Sequence, residues 1–413
     1  MKTRKEIEAI NLELKFCKTN LNYSKTILYR TMFFGFLLRC ICLFLILVVF
    51  SKYVSPYLIF DDVEYENVAL NYIKTATSII DKSSFANVGG AGYLQPFWPW
   101  ITCIFGYIFR TQYAARFLNI ILSTLNVILV YKLAFEVSNS DVVSMKAAKI
   151  TSYLPIFILI SCFNIKDIYI MTAIIYSFWI LVKFDKMSKV KIYEIILMIA
   201  LMFGAYLSRG AIVEMMIIFY SIVILKSILK RKKYIIALLS IIIVAVVAFL
   251  LKDRIIGAFY SKINDYISSG RTSTSISFVR IDSISQIYKL PLTYAFATIQ
   301  PFSLNLFNLN GITIWMQIIN FLNVTIIPIA VGNFIYIFIK KDNLTFWLTT
   351  IIMFSSIIIL SLGVFRHYFF LMPVEIINYS CCSSKKIENL DFIGVIVMFI
   401  FVLLVLLISI SRI

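Results

Sequence analysis

The stretch TMFFGFLLRCICLFLILVVF, residues 31–50, is followed after a short connector by FDDVEYENVA, residues 60–69. The first stretch has the roughly 20 apolar residues that a helix needs to cross the hydrocarbon core of a bilayer. The second contains two adjacent aspartates and two glutamates. Together they predict a membrane-spanning helix that delivers an acidic motif to the membrane surface.

The composition of the whole chain is that of a membrane protein. Of its 413 residues, 61% are hydrophobic and only 15% are charged, whereas soluble domains contain about 25% charged residues. Further apolar runs of spanning length lie at about residues 112–135, 147–164, 168–184, 192–208, 211–229, 234–251, 312–339, 344–363, 367–382 and 391–411. We therefore predict an all-α polytopic integral membrane protein with about eleven transmembrane helices.

The net charge of +18 lies mainly in short connectors between these runs. The basic connectors are residues 146–149, 186–191, 230–233, 340–341 and 385–386, and they share one side of the predicted topology with residues 1–30. The positive-inside rule makes that side cytoplasmic. Residues 1–30 are thus a cytoplasmic basic segment, and 31–413 form one transmembrane domain with outer loops at 51–111 and 252–311. No basic stripe interleaved with aromatic residues is present, which excludes nucleic acid as a partner.

The first outer loop is expected to contain structure of its own. Apolar residues recur at helical spacing over about residues 62–82, which predicts an amphipathic helix at the membrane interface. Its apolar positions are Val63, Val68, Ala69, Tyr72, Ile73, Ile79 and Ile80. Farther on, Trp98 and Trp100 suit the interfacial aromatic belt, and Pro96 and Pro99 argue against a continuous spanning helix there.

The remaining charged residues collect on the predicted outer face. They are Asp61, Asp62, Lys166, Asp167, Arg209, Arg366 and His367. An ionised side chain inside the bilayer costs about 2.5–3.5 kcal/mol on insertion scales, so charges at helix ends tend to line a cavity or site. Charges from several loops on one face predict a single site built by those loops.

Each of these residues has a structural and a functional interpretation. Asp61 and Asp62 either cap a helix or include a general base, because adjacent carboxylates raise each other's pKa. Lys166 and Asp167 either close a loop as an ion pair or contact a phosphate and orient a substrate or metal. Arg209 either reaches the lipid headgroups or binds phosphate oxygens. His367 is the sole histidine, which excludes a multi-histidine metal site and favours a structural role.

Four stretches, in order, resemble the GT-C membrane glycosyltransferases. The resemblance is to the bacterial branch related to protein O-mannosyltransferases and to the aminoarabinose transferase that modifies lipid A. The stretches are FDDVEYENVA at 60–69, the segment from PFWPW to LAFEV at 96–137 with its AAR motif, SCFNIKDIYIM at 161–171 and GVFRHYFFLMPVE at 363–375. Family members carry Asp-Glu where this chain has Asp61 and Asp62, which leaves open which aspartate acts.

The resemblance implies a sugar donor on a polyprenyl phosphate and a hydroxyl acceptor on a glycan, glycolipid or protein. Transfer would occur with inversion at the outer face of the bacterial plasma membrane. Asp61 or Asp62 would be the base, Lys166, Arg209 and Arg366 would stabilise the leaving phosphate, and Asp167, His367 and Tyr65 would complete the substrate site. If a divalent metal is used, Asp61, Asp62 and Asp167 would offer oxygen ligands, which favour Mg²⁺ or Mn²⁺.

Two other functions fit a membrane protein with charged outer loops. A polysaccharide polymerase of the O-antigen type would rely on arginines of a large outer loop, here Arg254, Arg271 and Arg280. A lipid-linked glycan flippase or transporter would place its charges near the membrane midplane and on broken helices. The charges singled out above lie at predicted helix ends instead, which favours the glycosyltransferase.

Overall fold

The computed structural model describes residues 4–81, 84, 96–230, 284–289, 314–330, 332 and 369–383, and regular structure within these ranges is helical. The α-helices are α1 (Arg4–Phe44), α2 (Phe60–Thr75), α3 (Phe97–Phe109), α4 (Ala114–Ser138), α5 (Asp141–Tyr153), α6 (Pro155–Ile160), α7 (Asp167–Asp185), α8 (Ile192–Lys230), α9 (Ile314–Leu322) and α10 (Met372–Ser383). A π-helical turn, Leu45–Val49, and a 3₁₀ turn, Phe50–Lys52, extend α1. Further 3₁₀ turns lie at Ile284–Lys289, Asn323–Ile326 and Phe369–Leu371.

Within the described ranges, four helical segments are long and apolar enough to cross a membrane. They are Ser24–Lys52, Ala114–Ser138, Asp167–Asp185 and Ile192–Gly210. These segments coincide within a few residues with four predicted spans and confirm an all-helical, multi-pass membrane protein. Other predicted spans lie wholly or partly outside the described residues, including 234–251, 344–363 and 391–411. The spans predicted at 312–339 and 367–382 are described in part, as α9 and α10 with their 3₁₀ turns.

The segment predicted as a span at 147–164 consists of two helices, α5 and α6. They meet at Leu154, whose backbone is extended (φ −61°, ψ 120°). The cause is Pro155, which has no N–H to donate and disfavours the helical conformation at the residue before it. The two helices together still lead the chain from the end of the bundle near Asp141 to the end near loop 161–166.

Helix α7 forms the centre of the bundle. Most of its residues are buried, and it packs against α4, α8 and the turn Phe369–Leu371. A helix that is apolar on nearly all sides belongs in the interior of a helical assembly. Helix α1 lies at the periphery and exposes large apolar side chains, among them Phe33, Phe34 and Leu37. Such a surface suits contact with lipid.

The predicted interfacial helix exists as α2, but it ends at Thr75, and Ile79 and Ile80 beyond it are exposed. Its buried face consists of Asp62, Tyr65, Glu66, Ala69 and Tyr72, and α2 packs against α3. The predicted apolar face thus omitted two carboxylates that the structure buries.

The two tryptophans assigned to the interfacial belt differ in their surroundings. Trp98 is fully buried and its indole Nε1 donates a hydrogen bond to Asn164 Oδ1 at 2.9 Å. Trp100 is 40% exposed, as the belt prediction requires. Trp98 therefore belongs to the interior of the bundle.

Helices α1 and α5 approach each other closely at Gly35. A Cβ added at Gly35 would overlap the hydroxyl oxygen of Ser152 and lie 3.3 Å from its Cβ. The Ser152 hydroxyl donates a hydrogen bond to the Thr31 carbonyl oxygen at 2.9 Å. Glycine at position 35 therefore leaves room for the Ser152 side chain between the two helices.

We expect Gly35→Ala to lower the free energy of unfolding by about 1–3 kcal/mol, because overpacking displaces one of the helices. Ser152→Ala removes the overlapping hydroxyl and loses one hydrogen bond, worth about 1 kcal/mol. The double variant should be more stable than the sum of the single effects, which gives a favourable coupling energy. Thermal unfolding of the three purified variants in detergent measures this. Strictly additive effects would contradict the close approach.

Candidate functional site

Arg116, in the first turn of α4, contacts three residues that precede it in the chain, two on α2 and one in the segment before α2. Its side chain is fully buried. Nε donates to Glu66 Oε1 at 2.5 Å, Nη1 donates to the Pro56 carbonyl oxygen at 2.8 Å, and Nη2 lies 3.7 Å from Asp62 Oδ1. One guanidinium therefore fixes α2, and the segment before it, to the end of a spanning helix.

Aromatic rings surround this guanidinium. Its central carbon lies 5.5 Å from the ring centre of Tyr57, 5.4 Å from that of Tyr113 and 5.7 Å from that of Phe163. Cations are attracted to aromatic faces within about 6 Å, and more strongly where water is excluded. The rings thus offset part of the free energy that burying the Arg116 charge costs.

Asp62 connects α2 to the loop between α6 and α7, residues 161–166. Its carboxylate is fully buried; Oδ2 accepts the Leu58 N–H at 3.0 Å and Oδ1 accepts the Asn164 N–H at 2.9 Å. With Arg116 close by, both oxygens of Asp62 contact donors of the protein itself. This carboxylate therefore has a clear structural role.

Loop 161–166 is held by helices as well as by Asp62. Asn119, on α4, donates from Nδ2 to the carbonyl oxygens of Phe163 at 2.7 Å and Ile165 at 2.9 Å. Trp98, on α3, binds the Asn164 side chain. The loop is therefore fixed from two helices, and with it the position of Lys166 and Asp167 where α7 begins.

Asp167 and Arg209 form the second charged pair at this end of the bundle. Arg209 Nη1 lies 3.3 Å from Asp167 Oδ1, and the Asp167 side chain is fully buried while that of Arg209 is 15% exposed. The α8 backbone leaves the helical conformation at Arg209 (φ −164°, ψ 81°), at the predicted boundary between two spans. The kink presents a partly exposed guanidinium at the end of the bundle.

Asp167 also borders a small apolar cavity of about 20 Å³. The other lining residues are Leu58, Ile59, Ile160, Ile165, Ile319 and Phe369. A cavity of this size has room for about one water molecule. The space beside the buried Asp167 side chain is therefore too small for a sugar.

The structure brings several of the predicted site residues to one end of the bundle. Asp61 precedes Asp62 on α2 and is only partly buried, whereas Tyr65 and Lys166 are buried. Arg366 and His367, and the loop arginines Arg254, Arg271 and Arg280, lie outside the described residues.

Sequence reasoning missed Glu66, Arg116 and Asn164 as members of this arrangement. Glu66 follows Asp62 by four residues, a spacing that places both on one helix face. Arg116 is an ionisable residue in a predicted span, which is by default a functional signal. Asn164 takes part through its backbone N–H and its amide oxygen, for which no residue pattern gives a signal.

Burial changes the proton affinity of Glu66. Desolvation raises the pKa of this carboxyl from 4.5 to about 7, and the opposing attraction of Arg116 only partly offsets it. The second oxygen, Oε2, is buried without a hydrogen-bond partner. Near neutral pH, Glu66 is therefore partly protonated, and Asp62 balances the charge of Arg116.

The described carboxylates do not fit a metal ion held by Asp61, Asp62 and Asp167. In the described ranges, no group of three or more His, Cys, Asp or Glu residues could hold a metal ion. Asp62 already accepts two backbone N–H groups, and Asp167 contacts Arg209. We derive no step through a metal.

Comparison with known proteins agrees with the class predicted from the sequence, a membrane protein of the GT-C type. Residues 95–249 match the family described as dolichyl-phosphate-mannose-protein mannosyltransferase. The matched segment runs from α3 into the chain beyond α8 and includes Arg116, loop 161–166 and Arg209. It confirms the resemblance to GT-C membrane glycosyltransferases.

Among solved structures, the archaeal oligosaccharyltransferase AglB from Archaeoglobus fulgidus, in complex with an inhibitory peptide and a dolichol-phosphate, is similar to this chain. The two share 13% identity with a TM-score of 0.46, over 95% of this chain and 55% of the archaeal one. The chain thus spans about half the length of that protein. No curated protein sequence gave a significant match.

The raised pKa of Glu66 predicts a pH dependence of stability. Between pH 4.5 and about 7 the folded state binds more protons than the unfolded state, so stability falls as pH rises through this range, by on the order of 3 kcal/mol. Glu66→Gln should flatten this part of the profile. Thermal unfolding in detergent between about pH 5 and pH 8 measures it.

Glu64→Gln is the matched control, since Glu64 lies on the same helix and is only partly buried. It should keep the pH dependence of the wild-type protein. Equal slopes for Glu66→Gln and the wild type would show that Glu66 titrates normally.

Proposed function

We propose that the protein transfers a sugar from a polyprenyl-phosphate donor to a hydroxyl acceptor at the outer face of a bacterial plasma membrane, with inversion and with Asp61 as the base. The observation that carries the proposal is the difference between the two adjacent aspartates. Asp62 is buried and binds Leu58 and Asn164, whereas Asp61 is partly exposed. Asp61 lies at the same end of the bundle as Arg209.

The chemistry of an inverting transfer supports this division of roles. The acceptor hydroxyl attacks the anomeric carbon, its proton passes to Asp61, and the bond to the phosphate oxygen breaks. A base must reach the acceptor, and Asp61 is the more exposed carboxylate of the pair.

The leaving group would be the polyprenyl phosphate, on which negative charge accumulates. Fixed cations aimed at developing charge are among the strongest contributors to catalysis. Arg209 is oriented by Asp167 at 3.3 Å and remains partly exposed, and a guanidinium matches phosphate oxygens geometrically. Lys166, Arg366 and His367 keep their predicted roles in this site, and Tyr65 and Asp167 support it from the interior.

The family match supports the proposed class of donor and acceptor. That family acts, by its description, with a lipid-phosphate mannose on proteins. We therefore propose a lipid monophosphate as carrier, and a protein, glycan or glycolipid hydroxyl as acceptor. The predicted topology, with the basic connectors in the cytoplasm, would place this end of the bundle outside.

Asp61→Asn should lower product formation per folded molecule by about 10²–10⁴-fold, because an amide cannot accept the proton. Its thermal stability should stay close to that of the wild type. Asp62→Asn should instead destabilise the protein by about 3–5 kcal/mol, because a buried ion pair loses one partner. Glycan profiles of complemented cells, normalised to folded protein, together with unfolding in detergent, measure both effects. Full activity of Asp61→Asn would remove Asp61 as the base.

Arg209→Ala should reduce the rate of transfer by about 10²–10³-fold, the loss typical of removing one donor to a developing negative charge. Arg209→Lys keeps the positive charge without the forked geometry and should lose less. Steady-state rates over a range of donor concentrations measure the difference. Equal rates for the alanine, lysine and wild-type proteins would exclude Arg209 from phosphate binding.

A further inference from the structure

Arg39 is a buried cation in the middle of the first spanning segment, and its hydrogen-bond acceptors in the described part of the chain are carbonyl and hydroxyl oxygens. Nη1 donates to the carbonyl oxygens of Gly35 and Ser152, each at 2.9 Å, Nη2 donates to that of Thr151 at 3.3 Å, and Nε donates to Ser123 Oγ at 3.0 Å. Its side chain is fully buried. A charge in the bilayer interior is costly, so this arrangement indicates a specific task.

The Thr151 and Ser152 carbonyls on α5 are two of those that the proline break leaves without a helical donor. In a continuous helix, the N–H of residue 155 would donate to the Thr151 carbonyl and that of residue 156 to the Ser152 carbonyl. Residue 155 is proline and has no N–H, and Leu154 turns the chain out of the helix. The guanidinium of Arg39 replaces both missing donors.

Arg39 is also connected to loop 161–166 through its backbone. The Cys162 thiol lies 3.4 Å from the Arg39 carbonyl oxygen and 3.2 Å from the Ile158 carbonyl oxygen, and its one hydrogen is shared between these two acceptors. Ser123, which accepts from Arg39, lies one turn along α4 from Asn119, which binds the loop at Phe163 and Ile165. Arg39 therefore contacts the end of α5 through its side chain and loop 161–166 through its backbone.

We propose that Arg39 is a positioning residue for the transfer reaction, an inference that rests on the proposed function. It stabilises the bend at Pro155 and so holds loop 161–166 against α2, where the Asn164 N–H donates to Asp62. The same loop leads into α7, at whose start Asp167 contacts Arg209. Arg39 acts through these residues and does not touch a substrate. Its loss displaces the loop while the spanning helices remain.

The loop can be followed without any substrate, by the reaction of Cys162 with a maleimide. Cys162 is fully buried, as is Cys103, which packs against Tyr72 of α2 and serves as an internal control. In purified Arg39→Ala, site-resolved mass spectrometry should show Cys162 reacting about tenfold faster or more than in the wild type, since loss of charged hydrogen bonds favours local opening. Cys103 should react at its wild-type rate. An unchanged rate at Cys162 would overturn the proposal.

The activity of the Arg39 variants distinguishes a positioning role from a contribution to stability alone. Product formation per folded molecule should fall about tenfold or more in Arg39→Ala. Arg39→Lys, which keeps a donor for one of the two carbonyls, should recover part of both the rate and the thiol protection. Wild-type activity per folded molecule in Arg39→Ala would make Arg39 merely structural and overturn the proposal.

The thiol-reactivity and activity measurements also distinguish a failure of the role proposed for Arg39 from a failure of the proposed function. If Asp61→Asn retains full activity, the proposed base is wrong, whereas the thiol result still reports on the role of Arg39 in holding the loop.

Discussion

Burial of the Arg116 guanidinium beneath α2 is the constraint on which the arrangement at this end of the bundle depends. A buried cation is stabilised by nearby negative charge and acceptors, and here two carboxylates, one carbonyl and three aromatic rings lie close to the guanidinium. Because Asp62 and Glu66 must both point inward, the rotation of α2 about its axis is fixed. Asp61 is then left on a partly exposed side of the helix.

The charged residues therefore divide by what they contact. In the interior, Asp62 and Glu66 contact Arg116, and Asp62 and Arg116 also bind the backbone. These contacts hold α2 to α4 and to loop 161–166. Asp61 and Arg209 are partly exposed at the same end. This separation of supporting charges from accessible ones is what a site for a charged donor and a polar acceptor needs, because the accessible groups are positioned before the substrates bind.

Much of the membrane architecture could be predicted from the sequence, because hydrophobic length determines where helices cross a bilayer. The segment before Arg209 and the segment at 168–184 were predicted within a few residues. The break at Leu154 was missed although Pro155 gives a direct signal for it. The partners of Arg116 and Asp62 could not be predicted. The packing of α2 against α4 joins residues that are far apart in the sequence, and a backbone N–H group donates whatever the residue type is.

The most direct test of the proposed sugar transfer is to measure what happens to the carrier lipid. Purified protein in liposomes would be supplied with lipid extract from its native membrane and a hydroxyl acceptor, and the lipids would be analysed by mass spectrometry. If the protein is the proposed transferase, free polyprenyl monophosphate accumulates in step with glycosylated acceptor. Carrier lipid that stays bonded to its sugar, as a transporter would leave it, or that is released as a diphosphate would contradict the proposed transfer.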